Sequence, residues 1–141
     1  MRLVLAHFLF VLAAWTLTIK LAFPIAMAMA EGAPLLSLVW WDFWWVAHLW
    51  LGWALIARPR YLMALTLLVA PVEVAIVVTK FVLFLAEPEW TIWTTNWFIN
   101  KIFVLGVFIP MLVHLALAPG EYRGQAAKHR REAAATAVSG G

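Results

Sequence analysis

Residues 35–58 read LLSLVWWDFWWVAHLWLGWALIAR, and the fold of the whole chain turns on how that stretch is taken. It is long enough to cross a hydrocarbon core as a helix, which takes about 20 mostly apolar residues. Yet it holds Asp42, His48 and the tryptophans at 40, 41, 44, 45, 50 and 53, out of ten in the chain. Its length reads as a membrane span, and its contents read as more than an anchor.

The rest of the chain supports that reading. Of its 141 residues 66% are hydrophobic and only 12% are charged, where a globular protein carries about 25% charged residues. Apolar segments use nearly the whole length, which leaves no room for a separate soluble catalytic domain. Chemistry therefore has to sit between helices or be shared with a partner. Without cysteine, the chain by itself makes no disulfide, thiolate metal site or iron–sulfur cluster. The net charge of +3 is concentrated after Pro119, where Arg123, Lys128, Arg130 and Arg131 face only Glu121 and Glu132. In a chain this apolar such a tail reads as topology and contact with anionic lipid, not as nucleic-acid binding.

Four spans are expected. The first covers 3–30 and is interrupted by Lys20 and Pro24. Its AMAMA ending resembles a signal-peptide cleavage site, but the apolar stretch far exceeds a signal core of about 7–15 residues, so it reads as a retained helix. Pro24 cannot donate to the carbonyl of Lys20, which predicts a kink at that level. The second span is expected over 36–57, the third over 61–86 with Pro71, Glu73 and Lys80 inside it, and the fourth over 91–117 with Asn96, Asn100, Lys101, Pro110 and His114. The fold class is thus all-α, an integral membrane bundle of four transmembrane helices built as two helical hairpins. Its domain is 1–118, and 119–141 is a basic cytoplasmic tail, partly disordered.

With four crossings, Arg2, Arg58, Arg60 and the tail lie on one side, and the opposite loops carry Glu31, Glu87 and Glu89 with no Lys or Arg. The positive-inside rule then places both termini in the cytoplasm of a bacterial-type inner membrane. Trp40, Trp41, Trp44, Trp45, Trp90, Trp93 and Trp97 fall towards the other face, as an interfacial aromatic belt does. The two hairpins also resemble each other, with Lys20 and Lys80 each followed by Ala-Glu and an aromatic cluster, and with VAHLWL matched by LVHLAL. Duplication and shared interfacial demands both account for this.

Charges inside a bilayer cost roughly 2.5–3.5 kcal/mol each on insertion scales and tend to mark function. Lys20, Asp42, Lys80 and Lys101 fall in the outer half and Glu73 nearer the middle, so these five make the candidate intramembrane polar cluster. Thr66, Glu73 and Lys80 recur every seven residues and share a face that should point into the bundle. Glu73 is expected to pair with Lys20, Lys80 or Lys101. Asn96, Asn100 and His114 fall within about 40° of one another on the fourth helix and form a polar stripe. Against these stands a structural reading, in which the lysines extend to the interface and Asp42 sits at headgroup level among tryptophans.

His48 near mid-membrane and His114 nearer the cytoplasmic end are candidate ligands for haem iron or a bacteriochlorin magnesium, with Trp50 and Trp53 available to pack on a flat ring. The alternative is a hydrogen-bonded packing histidine, and no CxxCH or paired-histidine spacing selects the ligand role. Lipid and quinone are equally compatible with the aromatic surface. No HExxH, nucleotide loop or nucleophile elbow is present, so no catalytic residues are assigned and common hydrolase and kinase chemistry lacks its parts. The leading expectation is a small accessory subunit of a larger membrane complex in electron transfer or energy conversion, packed against other membrane subunits and lipids. Two alternatives stand beside it: a homo-oligomeric proton- or ion-coupled transporter using Glu73 and the lysines, and a lipid- or quinone-modifying enzyme.

Overall fold

The structure, a computed structural model, describes residues 1–37, 39 and 43–124, with the side chains at 92 and 93 left aside. Asp42 and the tail beyond 124 lie outside the described residues. The described chain is all-helical. Helix α1 (Arg2–Leu17), a π-helical turn (Thr18–Ala22) and α2 (Phe23–Glu31) run on as one rod, followed by α3 (Trp44–Ala57), α4 (Leu62–Ala86) and α5 (Ile92–Leu117), and a 3-10 turn, Pro119–Tyr122. The rod of 30 residues, α4 and the 24 residues of α5 from Thr94 are long and apolar enough to cross a membrane. The length and composition of those three helices are those of a membrane protein.

Local chemistry accounts for the breaks. At the level where a kink is expected before Pro24 the helix has a π-turn, in which the Phe23 amide reaches back to the Thr18 carbonyl. A proline ring clashes with the carbonyl four residues before it, and widening the preceding turn moves that carbonyl aside. Thr18 adds a hydroxyl bond to the Ala14 carbonyl at 2.9 Å. Helix α2 ends at Gly32 with φ +67°, and the Ala33 amide closes on the Ala28 carbonyl at 2.9 Å. That closure needs a left-handed residue, which glycine supplies without strain. Thr91 caps α5: its hydroxyl accepts from the Thr94 amide, and the Thr94 hydroxyl accepts from the Thr91 amide at 2.8 Å, a reciprocal box.

The second span departs from expectation. Helix α3 starts at Trp44, not at 36, and has 14 residues, about 21 Å of helix against a core of about 30 Å. Upstream, Ser37 donates both its amide, at 2.9 Å, and its hydroxyl, at 2.7 Å, to the Pro34 carbonyl. That turn satisfies the carbonyl locally and competes with helix, as serine bonded to nearby backbone does.

Packing pairs α1 with α3 and α4 with α5 most extensively, and α1–α5 and α3–α4 contacts close the set. The α1–α3 approach is close because Gly52 lies against Phe10 and the Ala6 carbonyl. The core runs through Leu5, Leu9, Leu51, Leu55, Leu62, Val77, Phe108 and Met111. Apolar side chains such as Val11, Leu83 and Phe103 are exposed, which suits a surface turned to lipid.

At one end the N-terminus, the α3–α4 connection and the final turn meet. Arg2 donates to the Leu55 carbonyl, Arg58 to the Arg123 carbonyl at 3.4 Å, and Gly124 lies so close to Pro59 and Arg60 that a Cβ would stand 2.7 Å from the Arg60 Cα. Arg2, Arg58, Arg60 and Arg123 thus gather at one end of the bundle. At the other end Phe81, Phe84, Trp90, Trp97 and Phe98 form an aromatic cluster between α4 and α5, with Phe81 and Phe98 stacked at 4.4 Å.

Candidate functional site

Depth along the helices brings two polar groups to the same level. At 1.5 Å per residue, His48 lies about 14 Å from the α3 terminus at the arginine end and Glu73 about 16 Å from the α4 terminus at that end. The two meet there: His48 Nε2 stands 3.8 Å from Glu73 Oε1, with both side chains almost wholly buried. Phe108 of α5 closes the other side, its ring centroid 5.5 Å from that of His48. Both ring nitrogens of His48 and Glu73 Oε2 are buried without a hydrogen-bond partner. Thr66, one heptad below Glu73 and fully buried, bonds its own helix at the Leu62 carbonyl, 2.9 Å away, and so is satisfied without them.

Buried polar atoms without partners are uncommon and costly. Here three belong to one acid and one base in contact range. The imidazole and the carboxyl group stand within reach of each other but farther apart than a hydrogen bond. Burying net charge is expensive, so an acid and a base placed together in apolar surroundings call for an explanation.

Glu73 was expected to pair with a lysine. Its nearest described basic partner is His48, although Lys20 and Lys101 lie within charge–charge range of it. The lysines occupy another level. Lys20 lies about 27 Å along the rod from Arg2, Lys80 about 27 Å along α4 from Leu62, and Lys101 about 24 Å from the end of α5 at Leu117. Lys20, Lys80 and Lys101 are all within charge–charge range of one another. The heptad face of α4 does not stay inside: Thr66 and Glu73 are buried and Lys80 is exposed. A seven-residue repeat drifts by about 20° per heptad on a straight helix, and α3, starting at Trp44, stops short of the Lys80 level.

The polar stripe of α5 separates into two places. Asn100 is half-buried beside Lys101, with Oδ1 lacking a partner, and Asn96 is half-buried one turn further on. His114 belongs to the arginine end, where Nδ1 lies 3.0 Å from the Tyr122 hydroxyl and Nε2 3.7 Å from Glu121 Oε2. Tyr122, absent from the sequence reading, is fully buried. Burial, and then Glu121, push its phenol up to about 12, while Arg2 pulls the other way. Its signal was slight, an aromatic following the Pro-Gly that ends the last helix.

Of the two candidate ligand histidines, His114 is engaged by Tyr122 and Glu121, and His48 is buried with Glu73 3.8 Å from its Nε2. A macrocycle on His48 Nε2 would have to displace Glu73, and Trp50 and Trp53 face outward, with the Trp50 indole donating to the Tyr61 hydroxyl at 3.2 Å. Among the described residues, no three His, Asp or Glu side chains converge as a metal site. No protein-family model, curated protein or solved structure matches the chain.

Proposed function

We propose that the chain is a proton-coupled membrane protein, a bundle of four spans with both termini cytoplasmic, in which Glu73 and His48 take up and release a proton at mid-membrane. The single observation that carries this reading is the buried pair itself, an acid and a base 3.8 Å apart with three unpartnered polar atoms between them. Intramembrane ionisable groups are costly and face functional paths by default. Glu73 is the acid of the pair, His48 the base, and Phe108 closes one side of it. In this reading α3 completes its crossing through the segment before Trp44.

The test is proton movement in vesicles reconstituted with the full chain, followed by an internal pH dye under an imposed gradient. Wild-type protein is expected to dissipate the gradient, and Glu73→Gln, which keeps the shape and loses the titration, is expected to abolish that flux. Equal flux from both would count against the proposal.

A second reading, an accessory subunit of a larger membrane complex, is favoured by Trp15, Trp50, Trp53 and Phe103 standing exposed around the bundle. Aromatic side chains of this kind suit association with other membrane subunits as well as lipid. Native mass spectrometry from the protein's own membrane separates the two: other polypeptides retained with the chain support the subunit, and a small homo-oligomer supports an autonomous carrier.

A further inference from the structure

Three helices each deliver a lysine to one level of the bundle, at the end opposite the arginines. Lysines near an interface usually diverge towards water. Here Lys20 and Lys101 are half-buried, and the three ammonium groups stay within range of one another and mutually repel. Glu73 lies about 10 Å deeper along α4 and is already occupied with His48. Lys20 moreover sits in the π-turn, Thr18–Ala22, that precedes Pro24.

We propose that Lys20, Lys80 and Lys101 form a binding site for a phosphate group. Three point-charge donors arriving from three directions match an anion with several equivalent oxygens, whereas planar, two-pronged carboxylate recognition favours arginine. At about 24–27 Å from the arginine end, in a core of about 30 Å, the site lies within a lysine's reach of lipid phosphates. The phosphate is either the headgroup of an anionic phospholipid or a free phosphate anion. This site is separate from the proton-exchanging pair, and Glu73→Gln is expected to leave it intact.

The experiment uses the full chain purified in mild detergent. Phosphatidylglycerol, phosphatidylcholine and inorganic phosphate are added separately, and the melting temperature and native mass spectrum are read. Phosphatidylglycerol is expected to bind and raise the melting temperature, with phosphatidylcholine well behind. Each of Lys20→Gln, Lys80→Gln and Lys101→Gln should weaken it about fivefold, from about 1 kcal/mol per lysine at an anionic lipid surface. The corresponding arginine variants keep the charge and should bind within about twofold of wild type. Lys80 is exposed, so Lys80→Gln gives a reading even where the half-buried variants fail to fold. An equal shift from inorganic phosphate identifies the free anion as the source, and a shift from phosphatidylglycerol alone identifies the lipid. Equal response to both lipids with none to phosphate, or lysine-to-glutamine variants that bind as wild type does, overturns the proposal.

Discussion

His48 and Glu73 make opposite demands on stability and on function, and that opposition can be measured. Removing one partner of a buried pair strands the other and costs on the order of 3–5 kcal/mol, whereas replacing both with apolar groups of similar volume is often neutral or stabilising by about 1–4 kcal/mol. The double variant His48→Leu with Glu73→Leu should therefore melt at or above the wild-type temperature in detergent, with both single leucine variants well below it. A double variant no more stable than the singles would mean that the pair holds the helices together, and its retention would need no functional reason. Tyr122 gives a second prediction. Because burial raises its phenol from about 10 to about 12, the folded chain holds this proton more tightly than the unfolded chain. Its contribution is complete below pH 10 and is lost as the pH rises through about 12. Thermal stability should fall across that window, and Tyr122→Phe, which has no proton to lose, should remove that part of the decline. Phenolate absorbance follows the same titration directly.

For whole helices the contact that decides the packing is Gly52 of α3 against α1. A Cβ there would stand 3.1 Å from Phe10 Cε1 and 3.3 Å from the Ala6 carbonyl oxygen. The ring can turn aside but the backbone oxygen cannot, so Gly52→Leu should separate α1 from α3. The expected loss is about 1–3 kcal/mol, the ordinary cost of overpacking, read as a lower melting temperature in detergent. Gly106 of α5 has open space around its would-be Cβ, so Gly106→Ala should be neutral or better and serves as the control. The two glycines look alike in sequence, because their difference lies in which helix passes alongside. The same limit explains how much of the candidate site was legible. Apolar length revealed the helices, and proline and glycine marked the π-turn at Thr18–Ala22 and the cap at Gly32. The depth of Glu73 was readable too. Its partner was not, since opposite charge pointed to lysine while interhelix register delivered His48 at the same depth. The late start of α3 was hidden for another reason: tryptophan-rich sequence is apolar enough for a span whether or not it is helical, and hydropathy does not register the Ser37 turn.

At the scale of the whole molecule the open matter is how many times the chain crosses, and the ends of the bundle supply the argument. Arg2 bonds the Leu55 carbonyl, so the last turn of α3 lies beside the first turn of α1. Arg58 bonds the Arg123 carbonyl, which brings the end of α5 to the same place. The loop between α4 and α5, with Glu87 and Glu89, follows 25 residues of helix α4, about 37 Å of rise, and so stands at the far end. Glu31 closes a rod of 30 residues from Arg2 and stands far from it as well. If those ends are the two membrane faces, α3 together with the segment before it must complete a fourth crossing, although its 14 helical residues fall short of the core thickness. The absence of native cysteine allows a clean test. Single cysteines at Arg60 and Glu121 should react with a membrane-impermeant maleimide only from the cytoplasmic side, and those at Glu31 and Glu87 only from the opposite side. A three-crossing chain, with α3 entering and leaving by one face, would label Glu31 and Arg60 from the same side. That result would also remove His48 from mid-membrane, because α3 carries it, and the proton-exchanging pair would lose its setting along with the four-span bundle.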